Sequence, residues 1–391
     1  MAIYPRDPLV ARDGRPFGRE AGSRMYCLPW PYPSVVAGSL RTMLGKAIKG
    51  RRDAFSDPGF VDQLKLIRVR GPLALYNNEL YFPRPQNFLR AKTDRDSEAS
   101  RFLKDEDSEY VVERLEPAEM PDGWGMNLSG LWPLIPKLRQ KPDLGEGLWH
   151  ADMLTKWLLG DQSFVYDCKK TVRYPSVEER VHVRIDDDRR IGVDGALFVT
   201  QGLDFVWGEE QALAVQVDLP DSEWEKRLAS QTWVHPVGGA RRLAMWDPGW
   251  AGNWTMPKEL AARLKGASRV CMYLATPAVF AGGWRPGWLD PESLEGEIHG
   301  TSLKLRLRGA AVGRWQPVSG WSYELPGPKP IRRLVPAGSV YFFDVLYGDP
   351  SDLEELWLQP LSDDEEDARD GFGLVCWGLW GQVNNERVEK K

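Results

Sequence analysis

The chain has 391 residues, of which 42% are hydrophobic and 27% charged, as in ordinary globular proteins. This composition excludes a wholly disordered or collagen-like chain, and no apolar run approaches the roughly 18 residues of a membrane span. Residues 1–10 lack the apolar core of a secretory signal. We therefore expect a cytoplasmic protein. We expect neither a disulfide framework nor a zinc site, because no CxxC pair occurs among Cys27, Cys168, Cys271 and Cys376.

The net charge of -5 is unevenly distributed along the chain. Residues 1–70 contain 13 Lys and Arg against 6 Asp and Glu, whereas the remaining residues contain 38 against 50. This asymmetry is typical of a protein with one anion-binding face and other surfaces for different partners. Chance clustering together with a few acidic loops is the alternative interpretation.

The first elements along the chain are a loop region and one helix. Residues 4–33 are rich in Pro, Gly and Arg, which predicts loops with short extended pieces. A helix is predicted from an N-cap at Ser34 to Gly50, because apolar residues recur there at helical spacing. Strands are then predicted at 66–69, 73–76 and 80–82, the last two joined by a tight turn that contains two asparagines.

The middle of the chain predicts an insertion, a second helix and a hairpin. Residues 91–120 carry 15 charged side chains in 30 positions, which predicts a mobile, solvated insertion. A helix is predicted at 148–159. Strands 181–185 and 196–200 flank a polar turn. A domain boundary near residue 205 would divide the chain into domains 1–205 and 206–391.

Short strands dominate the second half of the prediction, at 213–217, 269–275, 303–308, 339–345 and 374–377. An acidic loop is predicted at 362–370, and a glycine-rich terminal loop follows at 371–378. Short strands mixed with few helices predict an α+β fold rather than a long βαβ alternation.

The sequence offers no positive case for an enzyme. None of its four histidines, His150, His182, His235 and His299, lies in a HExxH motif. The chain also lacks a GxSxG elbow and a GxxxxGK[ST] phosphate loop. We interpret Asp186–Asp188 as a solvated turn, since consecutive side chains point in different directions. We therefore predict no catalytic residue, no metal and no cofactor.

Arg41 is the first candidate anion contact. Gly38 and Gly45 share its helix face, and glycine inside a helix costs about 1 kcal/mol relative to alanine. The two glycines therefore indicate that another group approaches this face of the helix closely. That group is either a phosphate bound by the forked guanidinium donors of Arg41 or a neighbouring strand. Ser39, Thr42, Lys46 and Lys49 form an adjacent polar stripe, which binding or simple solvation would explain.

Three weaker features of the sequence are also consistent with RNA binding. Strand 303–308 has a basic face, which either binds a backbone or is merely solvated. Gly371 and Gly373 would let a phosphate approach the main chain. Most of the 18 tryptophans are expected in the core or in interfaces. Trp284, in a glycine-containing loop beside Arg285, is the one predicted to stack on an RNA base.

Taken together, several segments carry a family resemblance. The ordered set is 7–9 (DPL), 12–17 (RDGRPF), 33–41 (PSVVAGSLR), 185–186 with 195–198, 276–277 with 282–284, 319–321, 328–330, 336–339 and the terminal glycine loop. It resembles the RAMP-superfamily subunit of type III-B CRISPR effectors, the Cmr complex, that holds the 5′ end of the guide RNA. The resemblance implies two ferredoxin-like, RRM-like domains with glycine-rich loops. The charged 91–120 segment and the acidic 362–370 loop depart from a compact version of that family.

The resemblance also implies a function. Such a subunit is non-catalytic, binds the repeat-derived 5′ tag of the CRISPR RNA, and docks the large polymerase-type subunit onto the neighbouring backbone RAMP subunit. The predicted RNA-binding residues are Arg12, Arg15, Ser39, Arg41, Lys46, Trp284, Arg285, Gly371 and Gly373. Two alternatives stay open: a RAMP-type endoribonuclease that matures CRISPR RNA, and a protein–protein adaptor that never touches RNA.

Overall fold

This computed structural model describes the chain except residues 13, 16, 19, 51–54, 93–102, 107–108, 121–127, 129, 144–146, 162, 206–210, 323–326 and 382–391. The helices of the described residues are α1 Pro33–Lys49, α2 Pro58–Lys65, α3 Ala151–Leu158, α4 Ser222–Ala229, α5 Lys258–Leu264 and α6 Glu365–Asp370. Short 3₁₀ helices cover Cys168–Lys170 and Pro350–Glu354. No helix among these residues is long and apolar enough to cross a membrane.

The strands outnumber the helices. In chain order they are β1 Ala2–Pro5, β2 Arg68–Tyr76, β3 Glu79–Pro83, β4 Phe88–Lys92, β5 Leu103–Asp105, β6 Tyr110–Arg114, β7 Leu148–His150, β8 Val165–Tyr166, β9 Thr171–Val172, β10 Ser176–Ile185, β11 Gly192–Asp204, β12 Gln211–Asp218, β13 Trp233–Pro236, β14 Leu243–Asp247, β15 Arg269–Leu274, β16 Glu295–Glu297, β17 Lys304–Ala311, β18 Gln316–Val318, β19 Trp321–Ser322, β20 Gly327–Pro328, β21 Arg332–Leu334, β22 Val340–Tyr347 and β23 Val375–Leu379. The predicted α+β class is confirmed.

The first sheet has eight antiparallel strands in the order β13-β14-β1-β12-β2-β3-β7-β9. Its predicted tight turn between β2 and β3 is confirmed. Asn77 and Asn78 have φ of 47° and 65°, the left-handed values that a two-residue hairpin turn requires and that asparagine tolerates.

Helix α1 packs on one face of the first sheet through an apolar stripe that includes Val36, Leu40 and Leu44. The predicted cap at Ser34 is wrong by two residues, because the helix begins at Pro33 and its N-cap is Tyr32. Proline suits the first helical position, where its missing N–H is not needed and its fixed φ is already helical.

The second sheet has five antiparallel strands in the order β16-β17-β22-β15-β23. Its large buried side chains, such as Tyr273 and Phe343, share one apolar core with Leu73 and Ala214 of the first sheet. The first sheet also extends past the boundary predicted near residue 205, because β12 pairs with both β1 and β2. The division into two ferredoxin-like domains, 1–205 and 206–391, stays a prediction.

The predicted solvated insertion 91–120 and the predicted acidic loop 362–370 both contain regular structure. Strands β4, β6, β5 and β8 form a small sheet in that order, and Leu103 and Val112 are buried against aromatic side chains such as Trp149. The expectation of a solvated insertion at 91–120 is therefore wrong for its described part, because distant segments supply the apolar cover. The predicted acidic loop 362–370 contains α6, whose N-cap Asp364 accepts a bond from the Asp367 N–H.

The predicted helix 148–159 is shorter than expected. Residues Leu148–His150 form strand β7, and α3 begins only at Ala151. The His150 side chain caps α3 by accepting the N–H of Asp152. The residues on both sides of this junction include buried apolar ones. A short run of such residues looks the same in sequence whether it forms a helix or a strand.

Candidate nucleic-acid interface

The outward side of α1 is polar and partly open. Gly38 is exposed, and a Cβ added to it would meet nothing within 4 Å. Ser39 and Thr42 are half-buried, and their hydroxyls donate to the carbonyls of Val35 and Gly38 in the preceding turn. Lys46 continues this side one turn further on. None of the three side chains belongs to a core cluster of the described residues.

A loop that the sequence reasoning missed lies against the start of α1. In loop 238–242 the backbone is left-handed at Gly238, Ala240 and Arg241, with φ between 51° and 70°. Gly238 is required, because an added Cβ would lie 2.4 Å from the Val10 carbonyl and 3.6 Å from Val35. The available signal was the Gly-Gly-Ala segment that precedes two consecutive arginines.

The loop carries Arg241 on the surface and Arg242 half-buried. The Gly239 N–H donates to the Val10 carbonyl at 2.7 Å, which fixes the loop to the basic N-terminal segment. In that segment Arg12 is exposed and its backbone bridges to Cys27. The Arg15 guanidinium lies 4.6 Å from the Tyr26 ring centroid. We refer to six residues of these three segments together as the α1 basic face: Arg12, Arg15, Ser39, Lys46, Arg241 and Arg242.

Arg41 does not belong to this surface. Its guanidinium forms an ion pair with Asp370 of α6 and donates to the Ile67 carbonyl at 2.7 Å. The Arg41 and Asp370 side chains are only 15% and 11% exposed. Burial raises the pKa of the Asp370 carboxyl, and the charge of Arg41 opposes that rise. The arginine therefore joins elements of the fold, and packing explains its position without a phosphate.

The glycines near Arg41 do not create one shared space for a ligand. A Cβ on Gly45 would lie 2.9 Å from Leu64, so this glycine lets α2 pack closely, whereas Gly38 is open. Gly371 and Gly373 are buried. A Cβ on Gly371 would lie 2.4 Å from the Val69 carbonyl, and one on Gly373 would lie 2.7 Å from the Ser362 hydroxyl. The close approach that the terminal glycines permit is therefore to the protein itself.

Trp284 and Arg285 also face the protein. Trp284 is half-buried against the core of the second sheet, and its carbonyl accepts a bond from the Tyr341 hydroxyl. Arg285 donates to the Leu289 carbonyl within the same loop. Of the tryptophans whose exposure the structure describes, Trp315 alone is exposed, at 52%. The sequence did not distinguish Trp315 from the others.

The basic face of β17 is neutralised by acidic partners. Lys304 and Arg306 both pair with Glu295, and Arg308 pairs with Asp344. Hydrogen bonding to Lys304 and Arg306 lowers the pKa of Glu295. This strand was a candidate backbone-binding surface, and its charges are satisfied within the sheet.

The aspartate run at 186–188 forms the predicted turn. One Asp186 carboxylate oxygen accepts the backbone N–H groups of Asp188 and Arg189 at 3.0 and 2.8 Å. Within the described part of the chain, no group of three or more His, Cys, Asp or Glu side chains is placed to hold a metal ion.

The comparison with protein families identifies the chain. Residues 1–380 match the family described as "CRISPR-associated protein (Cas_Cmr3)". This match over nearly the whole sequence places the chain among the CRISPR-associated proteins. Within that class, the chain belongs to the Cas_Cmr3 family, and the resemblance stated from the sequence is confirmed. No curated protein matches the chain.

The solved structures that are similar to the chain include the following three. Two contain a type III-B Cmr-beta complex bound to cognate target RNA, the second also with AMPPnP. The first has 15% identity, a TM-score of 0.47 and coverage of 87% of this chain and 85% of the other. The second has 14% identity, a TM-score of 0.46 and coverage of 91% and 87%. A Csm3–Csm4 subcomplex of type III-A has 10% identity, a TM-score of 0.33 and coverage of 89% and 94%.

Proposed function

We propose that the chain is a non-catalytic structural subunit of a type III-B CRISPR effector complex and that it binds the repeat-derived 5′ tag of the CRISPR RNA. Membership of the Cas_Cmr3 family supports a place in such a complex. The α1 basic face supports the RNA-binding part. It gathers cations from three segments that are far apart in sequence, and none of its six side chains belongs to a core cluster of the described residues.

The chemistry of the α1 basic face suits a single-stranded tag. Its arginines donate forked bonds to phosphate, and the exposed Gly38 leaves room for a backbone above α1. Base pairing elsewhere in a guided complex selects the target. The subunit then needs to bind the tag and to fix its conformation. Arg41 and Gly371 hold α6 against α1 and β2 through the ion pair and a close backbone approach, and Gly373 packs against Ser362.

We further propose that the protein docks the large polymerase-type subunit onto the neighbouring backbone RAMP subunit. The family supports this role. The acidic remainder of the chain supplies surfaces of a different charge from the α1 basic face.

Substitution on the α1 basic face tests the RNA contact. In single-stranded RNA binding, each phosphate contact contributes roughly 0.7 to the slope of log affinity against log salt. Arg12→Ala, Lys46→Ala and Arg241→Ala should each weaken binding of the repeat-derived RNA and reduce this slope by about that amount. Fluorescence anisotropy over a salt series measures both quantities.

Lys304→Ala is the matched control, because Lys304 is a cation on the second sheet that pairs with Glu295. Its affinity and salt slope should equal those of the unmodified protein. If the three face variants also bind with unchanged affinity and slope, the α1 basic face does not contact RNA.

Two further experiments address the alternatives. Incubation of the purified protein with repeat RNA in the absence of divalent metal should leave the RNA intact, and cleavage at one site would support the endoribonuclease. Ultraviolet crosslinking of the assembled complex should join this chain to the tag. Crosslinks confined to other subunits would support the adaptor.

A further inference from the structure

The short ribbon formed by β18 and β21 has one inward and one outward face. Gln316 pairs with Leu334, Pro317 with Arg333 and Val318 with Arg332. Because side chains alternate along a strand, Val318 and Leu334 point inward into the core beneath α1, where they are 3% and 0% exposed. The opposite face carries the exposed residues Pro317 and Arg333. The exposed residues Trp315 and Ile331 lie two positions before them, each directly before its strand.

The outward face holds an arginine–tryptophan stack. The Arg333 guanidinium carbon lies 5.0 Å from the centroid of the Trp315 ring. The tryptophan is nevertheless 52% exposed, so part of its ring surface stays open to solvent. An aromatic ring that has an arginine over it and is partly open to solvent offers a stacking surface for an unpaired base.

The cations of the ribbon divide into paired and unpaired ones. Inward-facing Arg332 pairs with Asp367, and nearby Lys329 pairs with Glu366. Arg333 and the exposed Arg314, next to Trp315, have no carboxylate at ion-pair distance among the residues that the structure describes. Two exposed arginines beside one exposed tryptophan are complementary to a polyanion that also carries aromatic bases.

The ribbon is continuous with the α1 basic face. The Tyr32 hydroxyl, at the start of α1, donates to the Pro317 carbonyl at 3.3 Å. Ser319, directly after β18, lies 3.8 Å from the position of a Cβ on Gly14, between Arg12 and Arg15. These contacts place the ribbon next to the basic N-terminal segment and the start of α1.

We propose that Trp315 stacks on one unpaired base of the single-stranded RNA, with Arg333 on the ring and Arg314 at an adjoining phosphate. This subsite rests on the proposed RNA-binding function and extends it to a named base platform. Stacking tolerates any base, because every base has a π face. The subsite therefore fixes the path of the strand and does not select its sequence.

The experiment uses the full-length protein and repeat-derived RNAs that carry 2-aminopurine at one tag position at a time. Stacking on tryptophan should quench the probe at one position. Trp315→Ala should abolish that quenching and weaken RNA binding about tenfold. Trp315→Phe should retain most of both signals, because it keeps an aromatic ring. Tyr347→Ala, which removes an aromatic side chain that is 72% exposed on β22, is the matched control and should change neither.

Three outcomes would overturn the subsite. Trp315→Ala with unchanged affinity and quenching, while the Lys46 and Arg241 variants bind weakly, would reject the platform and leave the proposed function standing. Trp315→Ala that keeps RNA binding but no longer copurifies with other complex subunits would make the ribbon a protein interface. Failure of the unmodified protein to bind the RNA would reject both proposals together.

Discussion

The ion pair between Arg41 and Asp370 connects residues that are 329 positions apart. Its importance follows from its surroundings. The Arg41 guanidinium also donates to the Ile67 carbonyl, directly before β2. It therefore links α1 both to α6 and to the segment that leads into β2. Replacement of a whole buried pair is often neutral for stability, but removal of one partner leaves the other charge buried without compensation.

We therefore expect Arg41→Ala to destabilise the protein by about 3 kcal/mol, the low end for a broken buried pair. Urea denaturation measures the free energy of unfolding. Arg24→Ala is the matched control, because the Arg24 and Glu179 side chains are both 43% exposed and such pairs contribute under about 1 kcal/mol. Equal losses in the two variants would contradict this assignment, whereas Arg41→Ala with Asp370→Asn should recover part of the loss.

His235 gives the fold a dependence on mildly acidic pH. Burial, and secondarily the charge of Lys46, lowers the pKa of His235 to about 4 from its ordinary value of 6.5. Between pH 6.5 and 4 the unfolded chain binds a proton at this site and the folded protein does not. Stability contributed by this group is therefore complete above pH 6.5 and falls as the pH is lowered through that window.

We expect the urea midpoint of the unmodified protein to fall more steeply from pH 6.5 to 4.5 than that of His235→Gln, which has no titrating ring. The carboxyls of Asp367 and Asp370 act in the opposite direction, since burial raises the pKa of each. The difference between the two pH profiles isolates the histidine. Parallel profiles would show that His235 titrates alike in both states.

At the scale of elements, α1 contains two glycines with opposite surroundings. Alanine is favoured over glycine inside a helix by about 1 kcal/mol. Gly38→Ala should gain up to that amount, because nothing lies within 4 Å of its new methyl group. Gly45→Ala should gain less or lose stability, because its methyl group would meet buried Leu64 at 2.9 Å. Thermal unfolding of the two variants compares them, and equal shifts would contradict the close packing of α2.

Several elements could be predicted from the sequence because their signals are local. The asparagine turn between β2 and β3 depends only on which residues accept a positive φ. The strands β12, β15 and β22 are continuous apolar or alternating runs, and their predicted positions agree with the structure within a few residues. Capping and side-chain periodicity act over a few positions, which is the range that a single sequence displays.

The elements that were predicted wrongly depend on contacts from elsewhere. The charges at 91–120 conceal strands β5 and β6 in the sequence, because Trp149 and other distant aromatic residues supply their apolar cover. The same limit applies to the candidate site. Arg12, Arg15, Ser39 and Lys46 lie on the surface side of the N-terminal region, but Arg41 and Gly371 are occupied by partners more than 290 positions away, at Asp370 and Val69.

At the scale of the whole molecule, the first sheet is completed by strands that come late in the chain. Its β1 lies between β12 and β14, and its α1 core receives Val318 and Leu334 from the β18–β21 ribbon. The other face of this sheet packs on the second sheet. The α1 basic face and the Trp315 platform are therefore parts of one interlocked fold, although their residues come from distant segments of the sequence.

This interlocking has a consequence for synthesis on the ribosome. When residues 33–49 of α1 emerge, β12, the 238–242 loop and Asp370 have yet to be translated. At about 5 to 20 residues per second, tens of seconds separate Arg41 from Asp370. During that interval the nascent chain exposes the apolar stripe of α1 and an unpaired guanidinium. A growing chain in this condition is a substrate for chaperones, and it is also open to early contact with the RNA that the finished protein is proposed to hold.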